Sequence, residues 1–261
     1  RSDYDDYLKD DNLHINWYPG HMKKTKELVQ NNLKLVDVVI ELLDARIPYS
    51  SKNPQIDEIV GNKPRVVVLN KSDLANPANL SKWVNYYAKK GIKAIPVSTT
   101  RGNGVNKIIE ECKNVTREMM ENLKAKGRTE RAIRVMIVGV PNVGKSTLIN
   151  KLTGRKSTQT GDKPGVTKSK QWVRLKGNLE LLDTPGILWP KFEDQEVALN
   201  LAFSRAIKDE ILDIDTLGLK FIEKLMEIEP EKLMARYKLE NLGETPLETM
   251  EMIGRKRGFI L

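Results

Sequence analysis

The chain has 261 residues, of which 39% are hydrophobic and 30% charged, and its formal net charge is +9. This length allows one sizeable core with a smaller second domain, and this composition is ordinary for a soluble protein. No apolar run reaches the roughly 18 residues of a membrane span, and the acidic start RSDYDDYLKD is unlike a secretory signal. The lone Cys112 cannot form an internal disulfide, and its apolar neighbours at helical spacing favour a packed core thiol. We therefore expect a cytosolic protein.

The positive charge is concentrated in the middle of the chain. Residues 114–180 carry 15 basic and 5 acidic side chains, a net charge of +10. A solvated surface could account for such an excess, but its localisation favours a phosphate-rich partner.

Six short apolar runs rich in Val, Ile and Leu predict strands. They occupy residues 36–45, 65–71, 93–98, 133–140, 172–175 and 179–183. Continuous apolar runs suit strands buried on both faces, as in a parallel sheet covered by helices. Helical patterns lie between most of them, including residues 105–124 and a helix expected to have Asn53 as N-cap and Pro54 as first residue, and to end at Gly61. The alternation predicts an α/β fold with a mostly parallel sheet flanked by helices.

From about residue 190 the strand signal stops. Helical patterns cover residues 193–208, 215–228, 230–239 and 246–256, and Pro230 and Pro246 are placed to start the last two helices. We therefore expect two domains, a sheet domain at 1–190 and a small helical domain at 191–261. Within the first, the segment KAKGRTERA (124–132) is a linker.

The strongest motif is GVPNVGKS at residues 139–146, which fits the phosphate-binding loop G-x-x-x-x-G-K-[ST]. Gly139 and Gly144 let the backbone N–H groups face phosphate oxygens, Lys145 reaches the terminal phosphates, and the Ser146 hydroxyl can ligate Mg²⁺. The motif follows a predicted buried strand and precedes a helical pattern, which is the context it requires. The expected nucleotide-binding residues here are Pro141, Asn142, Val143, Gly144, Lys145, Ser146 and Thr147.

A second motif, NKSD at residues 70–73, follows the predicted strand VVVL. Guanine presents a ring N–H and an exocyclic amine side by side, and the Asp73 carboxylate can accept from both, whereas adenine lacks this pair. Asn70 can bond the other edge of the base, and the stem of Lys71 can cover a ring face. Such a segment alone is more often a turn. Together with the phosphate loop it predicts a GTP site.

The stretch LLDTPGIL at residues 181–188 completes the set. Asp183, at the end of a buried strand, can hold Mg²⁺ through water, and the backbone N–H of Gly186 can approach the γ-phosphate. Thr167 is placed to close over the metal when the third phosphate is present, although a solvent-facing hydroxyl is the alternative.

The base-reading motif precedes the phosphate loop, which reverses the order of ordinary GTPases. The stretches WYPGHMKKT, DARIPYSSKNP, NKSDL, GVPNVGKSTLIN, KPGVTK and DTPGI resemble the YlqF/RbgA family of circularly permuted ribosome-assembly GTPases over most of residues 15–190. The resemblance implies that a backbone group of the segment Ser98-Thr99 contacts the guanine carbonyl, although this segment is STTR where many relatives have S-A-K. It also makes the linker 124–132 the join created by permutation.

Many GTPases carry a glutamine directly after the D-x-x-G motif to orient the attacking water, but Ile187 occupies that position. The family resemblance implies two substitutes. His21 could reach the site and hydrogen-bond the water, with a structural turn residue as the alternative. Asn142 matches the asparagine that related GTPases use to hold K⁺ near the phosphates. We expect His21, Lys145, Thr167 and Gly186 to be the catalytic set.

The expected function is a Mg²⁺-dependent, K⁺-stimulated GTPase that binds the large ribosomal subunit precursor and ribosomal RNA late in assembly and leaves after hydrolysis. The basic residues of segment 155–176 would contact RNA phosphates. The family resemblance implies that the C-terminal helices bind ribosomal RNA too, through a local face at Arg255, Lys256 and Arg257. Trp17, Tyr18 and Trp172 could stack on bases, although core packing suits them better. DNA and membranes are not expected partners. The competing interpretations are an RNA-binding module that only binds GTP, and a GTPase acting on transfer RNA or translation.

Overall fold

The computed structural model describes residues 22–140, 143–153, 172–183, 195–204 and 214–259. These residues fall into two compact units, one within Trp17–Lys191 and the other within Phe192–Leu261. Each unit is described by itself.

The first unit is built on a six-stranded sheet. Its strands are β1 (Val38–Asp44), β2 (Arg65–Asn70), β3 (Ala94–Val97), β4 (Ile133–Gly139), β5 (Trp172–Leu175) and β6 (Leu179–Leu182). Their order across the sheet is β3-β2-β1-β4-β6-β5. Every pair is parallel except β5 with β6, which forms an antiparallel hairpin. All seven residues of β1 are buried, as expected for a central strand covered on both faces.

Helices alternate with these strands. They are α1 (Met22–Leu33), α2 (Ile56–Val60), α3 (Pro77–Lys89), α4 (Val105–Ala125) and α5 (Lys145–Thr153), and a single turn of 3₁₀-helix covers Ser72–Leu74. One apolar cluster packs α1 and α2 on the sheet through Val29, Leu33, Ile56 and Met136. Another packs α3 on β2 through Tyr87 and Leu69. The prediction of an α/β fold with a mostly parallel sheet flanked by helices is confirmed.

Helix α2 begins later than the sequence suggests. Asn53 was the expected N-cap, but its Oδ1 accepts a hydrogen bond from the backbone N–H of Gln55 at 2.8 Å, which forms a side-chain turn before the helix. Gln55 is the N-cap residue, and the helix starts at Ile56. Because an asparagine side chain satisfies a turn as well as a helix start, the sequence could not distinguish the two. The predicted end at Gly61 is confirmed, with a φ of 56°.

Helix α4 spans Val105–Ala125 and closely matches the predicted 105–124. Cys112 is fully buried on its inner face, and burial raises the pKa of the thiol to about 12, so the expected core thiol is confirmed. After the helix, residues 126–130 of the expected linker are exposed before β4 begins.

The second unit contains helices in the part of it that the structure describes. They are α6 (Gln195–Phe203), α7 (Ile214–Ile228), α8 (Pro230–Tyr237) and α9 (Pro246–Lys256). Pro230 and Pro246 start α8 and α9 as predicted, and Thr245 caps α9 by accepting from the backbone N–H of Glu248 at 3.2 Å. Parts of the predicted helix 193–208 lie outside the described residues. No helix in the described ranges is long and apolar enough to cross a membrane.

Candidate nucleotide-binding site

The phosphate-binding motif joins β4 to α5 at the carboxyl end of the sheet. β4 lies between β1 and β6, and it ends at Gly139, the first residue of the motif. A Cβ atom on Gly139 would lie 2.9 Å from the carbonyl oxygen of Leu42 on β1, so only glycine fits there. Gly144 has a φ of 97°, and a Cβ on it would clash with Nδ2 of Asn70. Both motif glycines are therefore required by their surroundings.

A direct hydrogen bond links the base-reading motif to this loop. Nδ2 of Asn70, the last residue of β2, donates to the carbonyl oxygen of Val143 at 2.7 Å, and Asn70 is 1% exposed. The two residues are 73 positions apart in the chain. None of the described residues hydrogen-bonds to Oδ1 of Asn70. The structure thus brings the two motifs together, as the sequence analysis requires.

Lys71 follows β2 in a left-handed conformation, with a φ of 59°. Its Nζ lies 4.0 Å from Oδ2 of Asp44, the last residue of β1, which is 2% exposed. Arg46 holds the same carboxylate, because its Nε donates to Oδ1 at 3.0 Å and its Nη2 donates to Oδ2 at 2.7 Å. The backbone N–H of Asp44 donates to Ser51 Oγ at 2.9 Å. A fixed carboxylate therefore stands beside the lysine expected to cover the base.

Asp73 lies in the 3₁₀ turn that follows Lys71. Its Oδ2 is 3.6 Å from Nε of Arg101, whose side chain is 66% exposed. An ion pair with so exposed a partner is weak, and it can yield to a stronger bidentate acceptor contact with a ligand.

The segment Ser98-Thr99 directly follows β3, and both residues are buried. The backbone N–H of Ser98 donates to the carbonyl oxygen of Asn103 at 3.2 Å, and the N–H of Asn103 donates back at 3.1 Å, which closes a tight loop. Val97 pairs with Asn70 in the sheet register, so this loop begins beside the base-reading motif.

Lys145 is the first residue of α5, and Asp183 directly follows β6. Burial lowers the pKa of Lys145 to about 8, while the negative charge of Asp183 opposes this shift. The lysine and the aspartate of two separate motifs are therefore close enough to interact electrostatically.

The residues at this edge suit a magnesium ion. Ser146 and Thr147 are exposed at the start of α5, and Asp183 is exposed at the end of β6. Mg²⁺ binds through one or two protein oxygens, with phosphates and water filling the other positions. Among the described residues, no group of three or more His, Cys, Asp or Glu side chains is placed to hold a metal. The Ser146 hydroxyl and the Asp183 carboxylate, with the positive charge of Lys145 nearby, fit that chemistry.

Several predicted site residues lie outside the described residues. These are His21, Pro141, Asn142, Thr167 and Gly186, together with Ile187. Asp44, Arg46 and Arg101 were not among the predicted site residues. Asp44 and Arg46 lie within DARIPYSSKNP, a stretch that carries the family resemblance, and that resemblance could have indicated them as site residues.

The sheet order and the loop after β4 define a P-loop GTPase domain in which the base-reading motif comes first. A family model described as a 50S ribosome-binding GTPase matches residues 134–244, which include the phosphate loop and Asp183.

Similar proteins match nearly the whole chain. Ribosome biogenesis GTPase A of Bacillus cereus is 50% identical over 250 residues, which cover 95% of this chain and 83% of that protein. Ribosome biogenesis GTPase A of Priestia megaterium is 48% identical over 248 residues, covering 95% and 86%. The GDP-bound structure of TM YlqF matches with a TM-score of 0.61 at 27% identity, covering 90% of this chain and 85% of that one. The chain belongs to the YlqF/RbgA family of ribosome biogenesis GTPases.

Proposed function

We propose that this protein binds and hydrolyses GTP, associates with the precursor of the large ribosomal subunit late in assembly, and is released on hydrolysis. The observation that carries the proposal is the buried hydrogen bond from Asn70 to Val143, because it unites base reading and phosphate binding in one site. Family membership and the names of the relatives, which act in ribosome biogenesis, support the choice of process.

Guanine selection rests on the segment after β2 and the loop after β3. The Asp73 carboxylate accepts hydrogen bonds from the ring N–H and the exocyclic amine, after Arg101 moves aside. The aliphatic stem of Lys71 covers one ring face, and the neighbouring Asp44 carboxylate attracts its ammonium group. A backbone group of the loop at Ser98 and Thr99 contacts the guanine carbonyl.

The triphosphate is held by the loop 139–147 and the positive end of α5. Lys145 enters the complex charged, since phosphate oxygens favour its protonated form. Ser146 and Asp183, with Thr167, would hold Mg²⁺, which when bound offsets the negative charge that develops on the phosphates. The Gly186 backbone N–H would face the γ-phosphate.

Hydrolysis by the isolated protein should be slow because Ile187 cannot orient water. His21 and a K⁺ ion held by Asn142 are the two proposed substitutes, and docking on the ribosomal subunit would bring them into position. The +10 charge of residues 114–180 suits an RNA partner.

The helical unit, proposed as an RNA-binding domain at 191–261, offers Arg255, Lys256 and Arg257, all exposed at the end of α9. The GTPase domain would be 1–190, and the site of action would be the cytoplasm, where bacterial ribosomes assemble.

The test is GTP turnover with and without purified large subunits, in potassium and in sodium, for the parent protein and His21→Ala. We expect subunits to raise turnover at least tenfold in potassium, sodium to reduce that stimulation, and His21→Ala to lower stimulated turnover without weakening GDP binding. Equal phosphate release with and without subunits would contradict the proposal. Binding to subunits without any phosphate release would indicate instead an RNA-binding module that only binds GTP.

A further inference from the structure

A second concave site lies at the end of the sheet where β4 begins, whereas the nucleotide loop lies at the end where β4 finishes. It is a cavity of about 450 Å³ between the second half of α4, the linker after it, and the turn that joins β5 to β6. Ile133, the first residue of β4, lines this cavity, whereas the phosphate loop follows the last residue of β4. Seven residues of extended strand separate the two sites by roughly 20 Å.

Four cationic side chains line this cavity, and we refer to them as the cationic row: Lys113, Arg117, Lys124 and Arg128. The first three lie 4 and 7 positions apart on α4, which places them on one helix face over roughly 17 Å. Arg128 continues the row from the linker. The Nζ of Lys113 reaches to within 3.5 Å of where a Cβ on Gly177 would stand, so the row borders the β5–β6 turn.

The cationic row has no counter-ions in the described part of the chain. None of its members forms an ion pair there, and Arg117 donates only to the neutral Oδ1 of Asn114 at 2.7 Å. Arg131, which lines the same cavity, contrasts with them because it makes two hydrogen bonds to the Asp37 carboxylate, at 2.7 and 2.9 Å.

Neither the acidic residues of the lining nor the dipole of helix α4 accounts for the positive charges of the cationic row. Glu121 and Glu130 also line the cavity, but neither pairs with a member of the row, and the five basic residues of the lining outnumber them. The carbonyl end of α4 favours a cation such as Lys124 in its last turn. Lys113 and Arg117 stand too far from that end to benefit, because the effect fades within one turn.

We propose that the cationic row binds the sugar-phosphate backbone of ribosomal RNA. This inference rests on the proposed function, to which it adds an RNA contact separate from segment 155–176 and from the helical unit. A row of unpaired cations 17 Å long matches successive phosphates of a nucleic acid strand better than a single small anion. None of the described residues that line the cavity is aromatic, so the contact positions the RNA without reading its bases.

The test compares two variants that remove the same charge. The row variant carries Lys113→Gln, Lys124→Gln and Arg128→Gln. The control carries Lys82→Gln, Lys89→Gln and Lys93→Gln, three exposed lysines without ion pairs among the described residues. Binding of each to deproteinised large-subunit ribosomal RNA, and to intact large subunits, is measured between about 50 and 300 mM KCl.

We expect the row variant to bind RNA at least about tenfold more weakly at 100 mM KCl, and the slope of log affinity against log salt to become about 2 shallower. The control should change by less than threefold. GDP binding and the thermal midpoint should be unchanged in both, because the row touches neither the nucleotide site nor the core. The single substitution Arg128→Gln, in the exposed linker, checks the direction of the effect without a risk to folding.

Equal losses in the row variant and the control would overturn the inference, since any surface charge would then serve. Loss of subunit binding with unchanged RNA binding would also overturn it and point to a ribosomal protein as the partner. If the parent binds RNA through the row but large subunits do not stimulate GTP turnover, the proposed function fails while the inference stands.

Discussion

At the scale of single residues, Asp44 is the feature of the site that motif reading overlooks. It is buried at the end of β1, held by Arg46, and 4.0 Å from Nζ of Lys71. The buried Asp44 carboxylate attracts the Lys71 ammonium group and so restricts where that side chain can go. We therefore propose that Asp44 is a positioning residue for Lys71, the lysine expected to cover the base.

We predict that Asp44→Asn weakens GDP binding about five- to tenfold, because Lys71 loses its electrostatic restraint, and that the effect disappears in a Lys71→Met background. A purely structural role would give additive losses in this double-mutant cycle. Asp37→Asn is the matched control, since Asp37 is a buried carboxylate that pairs with Arg131 near the other end of the same strand. It should lower the free energy of unfolding, by about 1–3 kcal/mol, yet leave GDP affinity unchanged.

We predict that Lys145 makes GDP affinity depend on pH. Its pKa is about 8 in the free protein, lowered mainly by burial, and bound phosphates must raise it. Between those two pKa values, binding takes up a proton, so GDP affinity should fall as the pH rises above 8, by up to about tenfold per pH unit.

Isothermal titration with GDP from pH 7 to pH 9.5, in buffers of different ionisation enthalpy, measures both the affinity and the proton uptake. Lys145→Met serves as the reference in which ionisation of the nucleotide itself is the only remaining contribution. A parallel decline in the parent and in Lys145→Met would show that Lys145 does not titrate in this range.

At the scale of elements, the contact between β2 and the loop after β4 joins the two motifs that are expected to form the nucleotide site. We predict that Gly144→Ala lowers GDP affinity by more than about thirtyfold, because the new Cβ strains the left-handed backbone and displaces the Asn70 amide. Gly91→Ala is the control, as Gly91 also has a positive φ, 72°, but nothing lies within 4 Å of its Cβ position. Only thermal stability should fall in Gly91→Ala, and a similar loss of affinity in both variants would mean that strain alone is responsible.

Strands were easier to predict from the sequence than helix starts or side-chain partners. The apolar runs of β1, β2 and β4 match the observed strands to within two residues at each end, because burial on both faces leaves an unbroken hydrophobic signal. Glu41 inside β1 could not be interpreted in the same way. It is 2% exposed, burial raises the pKa of its carboxyl, and its charge partner Arg65 donates at 3.1 Å from the neighbouring strand, a contact that only the sheet register creates.

At the scale of the whole molecule, the α/β fold with its permuted motif order was predictable because apolar runs, glycines and strand ends mark it locally, whereas the division into domains at 1–190 and 191–261 stays a prediction. The site was predictable to the extent that its residues belong to motifs with a fixed chemical role. Asp44, Arg101 and the cationic row belong to no nucleotide motif, and their partners become visible only after distant segments have packed. The charge excess of residues 114–180 indicated a polyanion but could not show that Arg117, Lys124 and Arg128 line one cavity together with Lys113.

The strand order β3-β2-β1-β4-β6-β5 also has a consequence for how the chain is made. The first three strands of the described sheet to be synthesised form one half of it and lead into the segments expected to bind guanine, whereas Val143 of the phosphate loop follows Asn70 by 73 residues. Until then one edge of β1 lacks its neighbour β4, and the loop that would bind the nucleotide phosphates has not yet been made. Guanine nucleotides therefore cannot act as a template for the early stages of co-translational folding, and the exposed edge of β1 is where a nascent chain would need protection from unwanted pairing.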